Sequence, residues 1–207
     1  MKNIKIIVFF LTYIISFSTN AQDDEKIRTA FSKSIEQETA KQYDKAILTL
    51  QNVYVETSYE INMRLGWLCY INNKIDESIV YYKKSTKLKP SSTEALWGLA
   101  SPLSIKQKWV ELNDTYIAII KNDPKNSLAN YYVGLYFYAE KNYAKAKTYF
   151  DVSLDLNPMD IEVCRMAAWT NYFMKNKELS IQLFNRVLIM NNTNPSALEG
   201  LTLAKKL

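Results

Sequence analysis

Four prolines, Pro90, Pro124, Pro158 and Pro195, punctuate the chain at intervals of 34, 34 and 37 residues, and no other feature limits the possible folds as tightly. Each follows a similar phrase: YYKKSTKLKP from Tyr81, TYIAIIKNDP from Thr115, TYFDVSLDLNP from Thr148 and, three residues longer, LFNRVLIMNNTNP from Leu183. In the fullest phrase Tyr149, Val152 and Leu156 recur at helical spacing with Phe150 and Leu154 beside them, while Asp151 and Asp155 lie four apart on the side left for water. The proline stops such a helix because its ring pushes the preceding residue out of the helical region.

The residues after each proline read as helix starts. Ser91 with Glu94 has capping-box spacing, Ser127 or Asn126 can cap the next helix, Asp160 the one after, and Asn194 with Pro195 at the first helical position opens the last. Short polar turns, NNK from Asn72, EKN from Glu140 and KNK from Lys175, separate the two helices of a unit. Asparagine suits these turns because it tolerates the left-handed conformation that commonly ends a helix.

In this register the sequence resembles the tetratricopeptide repeat family. That family is marked by 34-residue pairs of antiparallel helices with a small residue where they cross, another early in the second helix, a large apolar residue after it and a closing proline. Gly134, Tyr143, Ala146, Phe150 and Pro158 meet the pattern, as do Gly66, Ser78, Tyr82 and Pro90 in an earlier unit. Ala100 and Ala168 take the Gly134 position, and Ala46, Ser78 and Ser180 take the Ala146 position.

The resemblance covers some four-fifths of the chain and implies an all-α fold, a right-handed superhelical solenoid of antiparallel helix pairs over 27–194. Its units are 27–58, 59–92, 93–126, 127–160 and 161–194, followed by a capping helix over 195–207 that covers the last repeat. Three departures stand out. The first unit has no closing proline, Leu112 occupies a position where a small residue is usual, and Pro102 falls inside the first helix of the third unit. A proline there predicts a kinked or broken helix, with a hinge as one outcome.

Residues 1–21 have the composition of a secretory signal peptide: Lys2 and Lys5, the uncharged run IIVFFLTYIISF, and small residues up to Ala21. The run is shorter than the roughly 20 residues that span a bilayer. The expected mature chain is periplasmic or secreted, without a stable membrane span, and begins with a short disordered stretch over 22–26. No cysteine follows the cleavage point, which disfavours a lipid anchor. Without Lys2 and Lys5 the net charge falls from +5 to +3, interspersed in sign, so no nucleic-acid footprint is expected. Cys69 and Cys164 would sit three units apart, too far for a disulfide, and read as separate buried packing residues despite an oxidising destination.

The chain has no histidine, which removes the commonest general base and the usual zinc motifs, and its four glycines are too scattered to form a phosphate-cradling loop. No catalytic residue, metal or cofactor is expected, and the reading is non-enzymatic. Asn113-Asp-Thr and Asn191-Asn-Thr match the glycosylation sequon, a weak motif.

The resemblance places an extended partner peptide on the concave face lined by the first helix of each unit. On helical wheels that face holds Met63, Arg64, Trp67 and Tyr70 in the second unit, Trp97 in the third, Tyr131, Leu135 and Tyr138 in the fourth, and Arg165, Trp169 and Tyr172 in the fifth. Trp and Tyr make effective anchors, although each is equally readable as core between units. Arg64 and Arg165 are candidates for fixing an acidic group. The positions where some relatives clamp a carboxylate carry Phe31, Ile35, Arg64, Glu94 and Gly98, so that chaperone-type activity is not expected. Within YYVGLYFYAE, Val133, Gly134 and Phe137 should face the paired helix, Tyr132 or Tyr136 a neighbouring unit, and Tyr131 with Tyr138 the groove. The function expected is that of an exported scaffold gripping an extended segment of another protein. A self-associating or spacer component of an envelope assembly and a glycan-binding module are the alternatives.

Overall fold

The computed structural model describes residues 24–207, and the signal-peptide reading lies outside them. Among the described residues there are eleven helices and no strand: α1 (residues 24–39), α2 (Tyr43–Gln51), α3 (Tyr59–Ile71), α4 (Ile75–Leu88), α5 (Thr93–Ile105), α6 (Trp109–Asn122), α7 (Ser127–Ala139), α8 (Tyr143–Leu156), α9 (Ile161–Phe173), α10 (Lys177–Met190) and α11 (Pro195–Ala204). The chain divides into two compact units, one ending at Pro90 and one running from Ser91 to Leu207. Residues 24–26, expected to be disordered, are helical.

Local chemistry explains the pairing. Ser58, Ser92, Asn126, Asp160 and Asn194 are the N-caps of α3, α5, α7, α9 and α11, each side chain accepting from the N–H three residues on. These caps recur every 34 residues without exception. The cap of α5 is therefore Ser92, not the expected Ser91. Pro195 is the first residue of α11, and no proline closes α10, which explains the interval of 37.

Each first helix ends in a left-handed residue that reverses the chain: Lys41, Asn73, Gln107, Lys141 and Lys175, with φ between 53° and 63°. In the fourth pair the Lys141 N–H donates to the Tyr138 carbonyl at 2.9 Å and the Asn142 N–H to the Phe137 carbonyl at 2.8 Å, and the other four turns repeat both bonds. Two carbonyls are satisfied each time, enough to hold lysine or glutamine where asparagine was expected.

Pro102 does not end its helix. It sits in the last turn of α5, and the chain stays helical to Ile105, with the Lys106 N–H donating to the Pro102 carbonyl at 3.1 Å. Only one upstream bond is lost, and Pro102 is itself buried beside Leu103 in sequence.

The core of the unit ending at Pro90 centres on Ala46, Leu50, Ile61, Leu65, Leu68 and Cys69, and that of the other unit on Ala146, Phe150, Cys164, Leu183, Phe184 and Val187. Small residues set the crossings. A Cβ added to Gly134 would lie 2.6 Å from the Phe150 ring, and one added to Gly200 of α11 would lie 2.1 Å from the Phe184 ring. Ser78 Oγ donates to the Gly66 carbonyl at 2.8 Å and Ser180 Oγ to the Ala168 carbonyl at 3.1 Å, so a small hydroxyl also bonds across the crossing. Cys69 and Cys164 are buried and unpaired. Burial, with Glu77 adding to it, pushes the Cys69 thiol up to about 12, and burial also raises Cys164.

Candidate functional site

In the unit ending at Pro90 the predicted residues lie on α3. Trp67 is 43% exposed, its ring 6.1 Å from that of Tyr70, and Met63 and Tyr70 are half-buried. Glu38 of α1 divides its carboxylate between two of α3's donors, Arg64 Nη1 at 2.5 Å and Trp67 Nε1 at 2.7 Å. Arg64 Nε also donates to Ser34 Oγ at 3.2 Å, and its guanidinium lies 5.9 Å from the centre of the Phe31 ring. With its side chain only 13% exposed and its charge matched by Glu38, Arg64 ties α3 to α1, while its buried Nη2 has no hydrogen-bond partner.

In the unit from Ser91, α7 and α9 touch directly, and most of the predicted residues there converge. Arg165 has a raised pKa, held first by its hydrogen bond to Glu162, and the phenols of Tyr131 and Tyr138 across the helix pair add to it. Burial raises both phenols in turn. Tyr138 meets Phe173 edge-on at 6.0 Å, Phe173 lies against Trp169 at 6.0 Å, and Trp169 meets Tyr172 at 5.5 Å. The Trp169 indole N–H donates to Ser196 Oγ of α11 at 2.8 Å, and Lys175 lies 5.7 Å from the centre of the Tyr172 ring. The tyrosines, Trp169 and Arg165 are all half-buried, with one side on the core and the other open. A shallow cavity of about 300 Å³, lined by Tyr131, Asp160 and Glu162, adjoins them.

Two predicted residues depart from this face. Trp97 packs on Tyr116 of α6 at 5.6 Å and Tyr132 of α7 at 6.4 Å, in the seam between neighbouring helix pairs. Leu135 lines a different cavity and packs on the core. Inside YYVGLYFYAE, Phe137 stacks on Tyr149 at 5.7 Å and Tyr132 on Tyr116 of the preceding pair at 4.8 Å, as assigned, while Tyr131, assigned to the groove, also lies 5.9 Å from the buried Phe150 ring.

That different cavity, of about 430 Å³, opens between α6 and α7 at the end of α5. Its lining includes Trp109, Leu112, Asn113, Tyr116, Tyr132 and Tyr136. Leu112, which lines this space, stands where Ser78, Ala146 and Ser180 stand in other pairs, and α5–α6 is the loosest of the pairs α3–α4 to α9–α10. Burial, with Tyr132 adding to it, pushes the Tyr116 phenol up to about 12. Asn113 is 7% exposed, yet its Oδ1 accepts no hydrogen bond. This burial also closes the Asn113 sequon to a glycan in the folded chain, whereas Asn191 is exposed.

The residues lining this second cavity depart from the repeat. One position after the small-residue site the five pairs carry Ile47, Ile79, Asn113, Lys147 and Ile181. Isoleucine holds three of the five positions, and Asn113 and Lys147 depart from it. Among the described residues no group of histidine, cysteine, aspartate and glutamate side chains could hold a metal ion, and no helix is long and apolar enough to cross a membrane.

Helix pairs with caps and reversals at a strict 34-residue repeat define a tetratricopeptide solenoid. The tetratricopeptide repeat family model matches residues 59–92. Solved structures extend the likeness over most of the chain. A MamA structure (AMB-1) is 18% identical with a TM-score of 0.70, covering 85% of this chain and 97% of its own. A tetratricopeptide repeat protein from Parabacteroides merdae is 18% identical with a TM-score of 0.70, covering 88% and 73%. YrrB, described as having an unusual peptide-binding site, is 12% identical with a TM-score of 0.70, covering 92% and 98%. No curated protein matches the sequence. The chain has the tetratricopeptide-repeat fold, all-α and built from tandem antiparallel helix pairs.

Proposed function

We propose that this protein is a non-catalytic interaction scaffold that grips an extended segment of another protein on the first-helix face of its C-terminal unit, across α7 and α9. The observation that carries the reading is the continuous half-buried surface of Tyr131, Tyr138, Arg165, Trp169 and Tyr172, extended by Phe173, which is 41% exposed. Rings supported from behind present large contact area at little entropic cost, and Arg165, its Nε and Nη2 held by Glu162, is a positioned part of the same face. Trp67, Met63 and Tyr70 offer a smaller patch of the same kind on α3. Export belongs to this proposal and rests on the composition of residues 1–21. The test is capture of partners from the native compartment by wild-type protein and by Tyr138→Ala and Tyr172→Ala variants with unchanged helicity. Loss of the same partner in both variants supports the reading, and undiminished capture removes α7 and α9 from it.

A further inference from the structure

We propose that the cavity between α6 and α7 binds a small aromatic molecule that carries an ammonium group, its ring held by the aromatic lining and its cation by the Glu140 carboxylate. The cavity is separate from the α7–α9 face, and the assignment does not depend on that face binding a partner.

Two helical stripes build the walls. α6 contributes Trp109, Leu112 and Tyr116, and α7 contributes Tyr132, Leu135 and Tyr136, spaced so that each set lies on one side of its helix. Four of these six residues are aromatic. The space they line, about 430 Å³, falls within the range of about 300–1,000 Å³ common for small-ligand pockets. Part of the wall is held in place by its own packing: Tyr116 and Tyr132 stack on each other at 4.8 Å, and Trp97 lies against them at 5.6 and 6.4 Å. Such a lining favours a ring, packed edge-on or offset.

Charge then narrows the ligand. Glu140, the C-cap of α7, is the one charged residue lining the cavity, and it makes no ion pair among the described residues. The repeat register shows what it lacks. Three repeats earlier the same position is Glu38, whose carboxylate holds Arg64 of the following first helix. In α9 the position of Arg64 is taken by Met166, so Glu140 has no such cation to hold. An anionic ligand would meet this carboxylate with no cation on the lining to offset it. An ammonium group gains from both neighbours, since a carboxylate pairs with it and aromatic rings attract a cation.

The experiment is a titration of the isotope-labelled protein with phenethylammonium, phenethyl alcohol, 3-phenylpropanoate and hexylammonium, read at the Leu112 and Leu135 methyl resonances. Saturable binding of phenethylammonium is expected, with the alcohol weaker by about fivefold, the scale of one ion pair at an open site, and the carboxylate weaker still. Hexylammonium, which lacks the ring, should also bind more weakly. Glu140→Gln, at an exposed position, should remove most of the preference for phenethylammonium over the alcohol, which a merely structural glutamate would not do. Trp109→Ala, at a residue 52% exposed, should weaken both ligands alike. No saturable shift, or unchanged affinity in Trp109→Ala, would overturn the site. Equal affinity for the alcohol, or an unchanged preference in Glu140→Gln, would overturn the role of the cation, and hexylammonium binding as tightly as phenethylammonium would overturn the aromatic class. A tripeptide with an N-terminal phenylalanine carries the same ring and ammonium, and tighter binding of it would overturn the assignment to a free small molecule.

Discussion

The three glycines at helix crossings allow a graded test of how the fold closes. A Cβ built on Gly66, Gly134 or Gly200 would come within 3.0 Å of Tyr82, 2.6 Å of Phe150 or 2.1 Å of Phe184, respectively. Each Gly→Ala change gains about 0.8–1.0 kcal/mol of helix propensity. Against that gain stands overpacking, which costs about 1–3 kcal/mol when the neighbour cannot yield. Tyr82 has to give by only a few tenths of an ångström, so Gly66→Ala should be near neutral. Phe150 and Phe184 are fully buried and have nowhere to go, so Gly134→Ala should lose about 1 kcal/mol net and Gly200→Ala about 2 kcal/mol. For a chain of this size each kcal/mol is about 2–4 °C in melting temperature. Urea and thermal unfolding followed by circular dichroism would measure the series. Phe150→Leu should partly relieve Gly134→Ala, so that the double variant is more stable than the sum of the singles predicts. Equal stabilities, a reversed order, or strict additivity of the pair would show that ring contact does not set the crossings.

Other consequences are checkable on the same preparations. Replacing Lys141 or Lys175 by glycine should stabilise by about 0.5–1 kcal/mol, because a left-handed L-residue costs about 1–2 kcal/mol and glycine's extra backbone entropy returns part of it. The same change at Lys147, inside α8, should destabilise by about 1 kcal/mol. Stability should also fall as pH rises from about 9 towards 12. Cys69 moves from an ordinary 9.0 to about 12 in the fold and Tyr116 from 10.0 to about 12, so the unfolded chain releases these protons first. Chemical denaturation at pH 8 and pH 11 would show this loss, and Cys69→Ala should reduce it.

The helices were legible because their signals are local: caps at a 34-residue interval, closing prolines, and apolar positions at helical spacing. Ser92 displaces Ser91 only because the interval is strict, which a single helix start does not reveal. What could not be read was set by contacts between elements. The partner of Arg64 is Glu38, 26 residues earlier on another helix, and no wheel of α3 shows that the guanidinium is already matched. A wheel likewise assigns Trp97 to a side of α5, but Tyr116 and Tyr132 of later helices decide that this side is a seam. Asn113 belongs to a third class, visible in the sequence once the five pairs are aligned on their caps. Its meaning emerges only with its burial, since an exposed amide at that position would need no explanation.

Site-specific photo-crosslinking in the native compartment tests the account most directly. A benzophenone side chain at Tyr138, on the α7–α9 face, is compared with one at Asp155, an exposed position on α8. The account predicts a discrete adduct from position 138 that disappears when Tyr172→Ala is added, and none from position 155. The same adduct from position 155, or none from position 138 while the partner is still captured, would contradict the claim that the first-helix face of the C-terminal unit holds the partner.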